Sequence, residues 1–188
     1  MSVFSKKATF TTKALLFYGA MALIALLIML FAGDPWQGLR PVPQRPRLFA
    51  ELGTVALLLS VNLALVLLGP RHSRTLGRFI HFLEESLGPL SGSQVMILAA
   101  SSAIGEEMLF RGALQPIIGI LPATLLFALS HFPLRRELWI WPLYALVMGL
   151  GLGLLRQWGG DIWSAVLLHF LLNGSSLLVL GKSLSPRS

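Results

Sequence analysis

The chain has no cysteine among its 188 residues, so disulfides, a thiol nucleophile and a thiolate metal site are all excluded. Charge is nearly as scarce. Asp, Glu, Lys and Arg make up 12% of the residues against 55% hydrophobic ones, and mean hydropathy is +0.74. Soluble domains carry roughly 25% charged residues, so this composition excludes one and predicts an integral membrane protein. There is no internal repeat, which argues against a transporter built from duplicated halves. There is also no His-Glu-x-x-His sequence, the most direct signature of a zinc protease.

What the chain does have is a series of apolar runs of about twenty residues, the length that crosses a hydrocarbon core of ~30 Å. They fall at roughly 14 to 32, 49 to 69, 94 to 115, 117 to 133, 138 to 156 and 161 to 181. The first is longer than the apolar core of a usual signal peptide and is read as a span. Between spans two and three, "RHSRTLGRFIHFLEESLGPL" places Leu76, Phe79, Ile80, Leu83 and Leu87 at helical spacing with charges opposite, which predicts an amphipathic helix on the membrane interface. His72 and His81 read as ordinary interfacial polar residues. "GDPWQGLRPVPQRPR" reads as a proline-rich connector. The expectation is an all-α polytopic membrane protein, a single domain over 1–188 with about six transmembrane helices and one interfacial helix. The four spans within 94–181 are expected to form one four-helix core.

The net charge of +7 comes from basic residues scattered over short loops, so it forms no nucleic-acid patch. It reads instead as topology. With the N-terminus inside, Lys6, Lys7, Lys13, Arg71, Arg74, Arg78, Arg135, Arg136, Lys182 and Arg187 are cytoplasmic, and Arg40, Arg45, Arg47 and Arg156 are outside. The positive-inside rule then places both termini in the cytoplasm, in a bacterial-type plasma membrane. Trp36, Trp139, Trp141, Trp158 and Trp163 all fall near span ends, where amphipathic rings are stable.

Against this background "AIGEEMLFRGAL", residues 103–114, stands out for carrying Glu106, Glu107 and Arg111 inside an apolar run. Each charge at a bilayer centre costs roughly 2.5–3.5 kcal/mol on insertion scales. Glu107 and Arg111 are i and i+4 with the acid N-terminal, the orientation that favours a helical ion pair. Glu106 points about 100° away around the helix and is free for another partner. Pro116, Gly119 and Pro122 form the turn to the next span, so Glu106 and His131 lie at equal depth on antiparallel helices, roughly 18 Å from the tip at ~1.5 Å per residue. His169 and Asn173, one helical turn apart, reach a similar depth from the turn at Asp161. Any of these polar groups alone would read as interhelical glue. Together with a carboxylate they read as a site.

Three stretches in order, "EEMLFR", "FALSH" and "HFLLN", resemble the motifs of the type II CAAX prenyl endopeptidases and their prokaryotic relatives, the CPBP (CAAX protease and bacteriocin-processing) group of intramembrane proteases. The resemblance covers about residues 95 to 180. It implies that Glu106 and His131 activate a water molecule and that His169 and Asn173 stabilise the resulting oxyanion, with Glu107, Arg111 and Phe127 as supports. A carboxylate withdrawn from bulk water suits a general base, and donors opposite it suit a tetrahedral intermediate. Two forms of the chemistry stay open. In one, no metal or cofactor is required. In the other, Glu106, His131 and His169 bind zinc as a metalloprotease, with water as fourth ligand. The expected partners are the lipid bilayer and a membrane-associated protein or peptide: a prenylated CAAX protein in the eukaryotic pattern, or a peptide precursor, bacteriocin leader or sorting tail in the bacterial one. A non-enzymatic scaffold or immunity protein that keeps the fold is the alternative.

Overall fold

Long apolar runs fold here into helices alone, and no strand occurs among the described residues. The computed structural model describes residues 3–36, 38–132 and 138–183, with side chains between 10 and 180. Arg135, Arg136 and Arg187 lie outside the described residues, as do the side chains of Lys6, Lys7 and Lys182. Helices α1 (Val3–Phe31), α2 (Leu48–His72), α3 (Arg74–Leu87) and α4 (Gly92–Glu107) precede a seven-residue π-helical turn at Met108–Leu114. The short α5 (Gln115–Ile118), α6 (Ile120–Ser130), α7 (Ile140–Gly159) and α8 (Trp163–Ser183) follow.

The breaks have local causes. Ser73 caps α3, its hydroxyl accepting from the Leu76 amide. Ser91 and Gln94 form a reciprocal capping box at the start of α4. Gly119, at φ +87, and Gly160, at φ +76, adopt backbone conformations that side-chain-bearing residues resist, and they make the turns before α6 and α8.

Four helical stretches are long and apolar enough to cross a bilayer: Phe10–Phe31, Leu48–His72, Ile140–Gly159 and Trp163–Leu180. Their outer faces carry exposed Leu16, Phe17, Leu57, Leu143 and Leu167, as a lipid-facing surface requires. α3 meets the Gly92–Ile118 helix at 110°, and turns Leu76, Phe79, Ile80, Leu83 and Leu87 toward a cavity. The expected fourth span, 117 to 133, needs correction. α6 has only 11 residues, about 16 Å at ~1.5 Å per residue, roughly half of a bilayer core. Gly119 starts the helix late, and it ends at Ser130, so His131 sits at a helix end rather than within a span.

Close approach between helices depends on missing side chains. α7 carries Gly149, Gly151 and Gly153 on the faces it turns inward: a Cβ at Gly149 would fall 2.8 Å from the Phe127 ring, at Gly151 2.2 Å from Leu58, and at Gly153 2.8 Å from Ile120. α1 docks along α4 and the π-helical turn, with buried Ala25 and Met29 against Ala113. The connector is also tied down. Arg45 bridges Glu51 at 2.9 Å and Asp161 at 2.6 Å, and Asp161 also accepts the Val42 amide at 2.8 Å.

A Cβ at Gly105 would lie 2.7 Å from the Tyr18 carbonyl oxygen, a backbone contact that cannot swing aside. Gly105→Ala should therefore push α1 off α4 and cost about 1–3 kcal/mol. This is read as a lowered Tm of the detergent-solubilised protein. An unchanged Tm would show that the α1–α4 contact is looser than this packing.

Candidate active site

The site begins at the end of α4. Glu106, Glu107 and Arg111 are 7%, 0% and 1% exposed, so all three charges are removed from solvent and their pairing decides whether the helix can exist there. Arg111 Nη1 donates to Glu107 Oε1 at 3.0 Å, and Nη2 donates to the Gly149 carbonyl at 2.9 Å. Its guanidinium carbon stacks 4.2 Å from the centroid of the Phe127 ring. The wide π-helical turn follows Glu107 directly and includes Arg111. π-helical segments of this kind recur at functional sites.

His169 Nδ1 lies 2.7 Å from Glu107 Oε1. An ionised carboxylate only accepts, so Nδ1 carries the hydrogen and Nε2 is turned toward Glu106 Oε2, 4.0 Å away. His131 is built by a different device. Its Nδ1 is 2.8 Å from the Phe127 carbonyl, while its own backbone amide turns back to Ala128 in a tightened last turn. A carbonyl also only accepts. Nδ1 again holds the hydrogen, and Nε2 faces Glu106 Oε2 at 3.7 Å. The Phe127 ring packs against both imidazoles, at 4.7 Å from His131 and 6.0 Å from His169.

Glu106 Oε2 is buried without a hydrogen-bond partner, and both imidazole nitrogens stand beyond direct hydrogen-bond length from it. Asn173 completes the group from one helical turn further along α8. Its Nδ2 donates to Ser102 Oγ at 2.8 Å, and Ser102 is one turn before Glu106 on α4. The structure thus brings Glu106, His131, His169 and Asn173 around one region, with Glu107, Arg111 and Phe127 packed behind them. The alternative zinc set does not assemble into a centre: among the described residues no group of three or more His, Cys, Asp or Glu is arranged to hold a metal ion. The metalloprotease reading gains no support from this geometry.

Three features of the site were not anticipated from sequence. Tyr18, from α1, sets its backbone carbonyl against Gly105 and lines the cavity beside Ser102 and Asn173. Gly149 leaves the space that Phe127 and Arg111 fill, and its signal was the "GLGLG" run in α7. A cavity of about 550 Å³ adjoins the site. It is walled mostly by apolar side chains, including those of α3, with Tyr18, Ser102 and Asn173 at the site end.

Four apolar helices of membrane-spanning length around a buried carboxylate faced by two imidazoles indicate an integral membrane protein with an ionisable group in its helical core. Residues 89–175, which hold all four of Glu106, His131, His169 and Asn173, match the model of the type II CAAX prenyl endopeptidase Rce1-like family. The chain is also similar to uncharacterized protein YpbD of Bacillus subtilis (strain 168), 38% identical over 81 residues, or 42% of this chain and 41% of that protein. The chain thus spans about two fifths of the length of the curated relative it matches. No solved structure matches.

Arg111 holds three partners on three elements. Arg111→Ala leaves Glu107 buried and unpaired and should cost about 3–5 kcal/mol, seen as a lower yield of folded protein and a lower Tm. Arg111→Lys should recover little, because a single ammonium cannot reach Glu107, cap the Gly149 carbonyl and stack on Phe127 at once. A wild-type Tm in either variant contradicts this role.

Proposed function

We propose that this protein is an intramembrane endopeptidase that hydrolyses a peptide bond of a membrane-associated protein or peptide. The observation that carries the reading is the pair of imidazole Nε2 atoms directed at Glu106 Oε2, a buried carboxylate oxygen without a hydrogen-bond partner. In their neutral forms both nitrogens present lone pairs, as does Glu106 Oε2. Acceptors facing acceptors at 3.7 and 4.0 Å are reconciled by a proton-bearing molecule between them, and a bridging water meets that requirement.

In this reading Glu106 and His131 accept a proton from water as its oxygen attacks the scissile carbonyl carbon. The C=O bond becomes an oxyanion, stabilised by an Nδ2 hydrogen of Asn173 and by His169 in the form protonated at Nε2. Collapse of the intermediate returns the proton to the departing amine nitrogen as the C–N bond breaks. Glu107 supplies the counter-charge when His169 donates through Nε2, and Arg111 and Phe127 hold Glu107 and both rings in place. The adjoining apolar cavity supports a substrate whose membrane-embedded or lipid-bearing part enters there. No metal or cofactor is required in this scheme. We further infer that both termini are cytoplasmic.

Glu106→Gln keeps the volume and removes the base, so cleavage of a membrane-anchored or C-terminally lipidated peptide by the purified protein in vesicles should fall at least ~10²-fold. A Gln variant that cleaves at the wild-type rate overturns the mechanism, and wild-type protein without hydrolysis over a broad substrate panel favours the scaffold alternative.

Metal dependence is tested separately. Protein purified without added metal should contain far less than one equivalent of zinc by elemental analysis, and chelation should leave cleavage intact. His169→Ala should cost rate, about 2.7–4 kcal/mol by comparison with other oxyanion donors, without changing bound metal. Stoichiometric zinc that is lost with His169→Ala, and that restores activity to stripped wild-type protein, would establish the zinc form instead.

A further inference from the structure

Asn173 can serve an oxyanion in only one of its two amide orientations. Its terminal torsion is broad and roughly two-fold, and turning the amide over exchanges a donating Nδ2 for an accepting Oδ1. Set the wrong way, the side chain would put a lone pair against the developing negative charge, so a neighbour has to choose the orientation. Neither Glu106 Oε2, which has no hydrogen-bond partner, nor His169 Nδ1, which is held by Glu107, makes that choice.

The choice falls to Ser102. Its hydroxyl donates to the Ala99 carbonyl of its own helix at 3.2 Å, and its oxygen accepts Asn173 Nδ2 at 2.8 Å. A hydroxyl has one hydrogen. With that hydrogen committed to Ala99, Ser102 Oγ meets the amide with lone pairs alone, and only the Nδ2 edge of Asn173 fits against it. One Nδ2 hydrogen is then held on α4 and the second stays free, in a side chain that lines the cavity together with Ser102. Ser102 is 5% exposed and Ala99 fully buried, so the hydroxyl is anchored on its helix and not shared with bulk solvent. Ser102 stands one helical turn before Glu106, which puts the residue that sets the amide and the carboxylate on one face of α4. We propose that Ser102 is a positioning residue that fixes the Asn173 amide in its donating orientation toward the oxyanion. The inference rests on the endopeptidase reading above.

Ser102→Ala removes the hydroxyl and leaves the Asn173 amide free to turn over. Loss of a whole oxyanion donor costs ~10²–10³-fold in kcat, and an amide that still adopts the donating orientation part of the time loses less, so kcat for a membrane-anchored or C-terminally lipidated peptide in vesicles should fall about 10-fold. KM should change by less than about twofold, because the donor acts on the transition state. Tm should move by no more than about 2 °C, since one interhelical hydrogen bond in a membrane bundle contributes little. In an Asn173→Ala background, itself slowed ~10²-fold, adding Ser102→Ala should bring no further loss, because the residue it acts through is gone. The proposal is overturned if Ser102→Ala has wild-type kcat, or if it slows Asn173→Ala by the same factor again. It is overturned equally if its loss of rate comes with a matching rise in KM and fall in Tm, the pattern of a packing role, or if Asn173→Ala keeps wild-type kcat while Glu106→Gln is inactive. Wild-type cleavage by Glu106→Gln, or no cleavage by the wild-type protein over a broad substrate panel, would instead remove the endopeptidase reading itself.

Discussion

The Glu107–Arg111 ion pair is the contact on which the rest of the structure depends. An unpaired charge in this interior would be prohibitive. The pair is tolerable because both terminal nitrogens and the flat face of the guanidinium have partners. One nitrogen meets Glu107, another takes the Gly149 carbonyl and so ties α7 to the π-helical turn, and the flat face lies on Phe127. From there two lines reach the candidate chemistry. Glu107 holds the Nδ1 hydrogen of His169. Phe127 packs on both imidazoles and supplies the carbonyl that fixes His131. The ion pair thus sets the ring orientations on both sides of Glu106 without touching Glu106's free oxygen.

That arrangement also separates two adjacent carboxylates by task. Glu107, fully buried, carries a matched positive charge and behaves as structure. Glu106, one residue earlier and about 100° around the helix, is left with imidazoles that have already committed their hydrogens. Two neighbouring residues of the same type thereby acquire opposite characters, one neutralised and one available. The difference arises from helical geometry alone, since i and i+4 share a face while i and i+1 do not.

How much of this could be read from sequence follows the same division. Contacts made within one helix, or at equal depth on antiparallel helices, were legible. The Glu107–Arg111 spacing, the depth match of Glu106 with His131, and the amphipathic pattern of α3 are properties of local periodicity and rise per residue. Contacts made by what a helix lacks were not. Gly149 and Gly105 sit in ordinary apolar runs, and only the neighbour on another helix reveals why a Cβ is missing. Tyr18 in an otherwise apolar span resembles an interfacial aromatic until α1 is docked. The length of α6 was misjudged because hydrophobicity continues to Phe132, while the helix begins only after Gly119 and stops at Ser130. Its early end is what frees the Phe127 carbonyl for the His131 ring.

The docking of α1 bears on where the working unit of this protein ends. Residues 89–175 hold the ion pair, both histidines and Asn173, and in sequence they look self-sufficient. In space they are not. The α4 face that carries Ser102 and Glu106 borders a cavity closed by α1, α2 and α3 as well as by α7 and α8. Buried carboxylate chemistry needs a wall on that side, both to limit bulk water and to supply polar atoms where a substrate would lie. α1 supplies such a wall, with Ala25 and Met29 packed along the π-helical turn and Tyr18 lining the cavity beside Ser102 and Asn173. The helices that precede the matched segment therefore form the opposite wall of the cavity beside the candidate site.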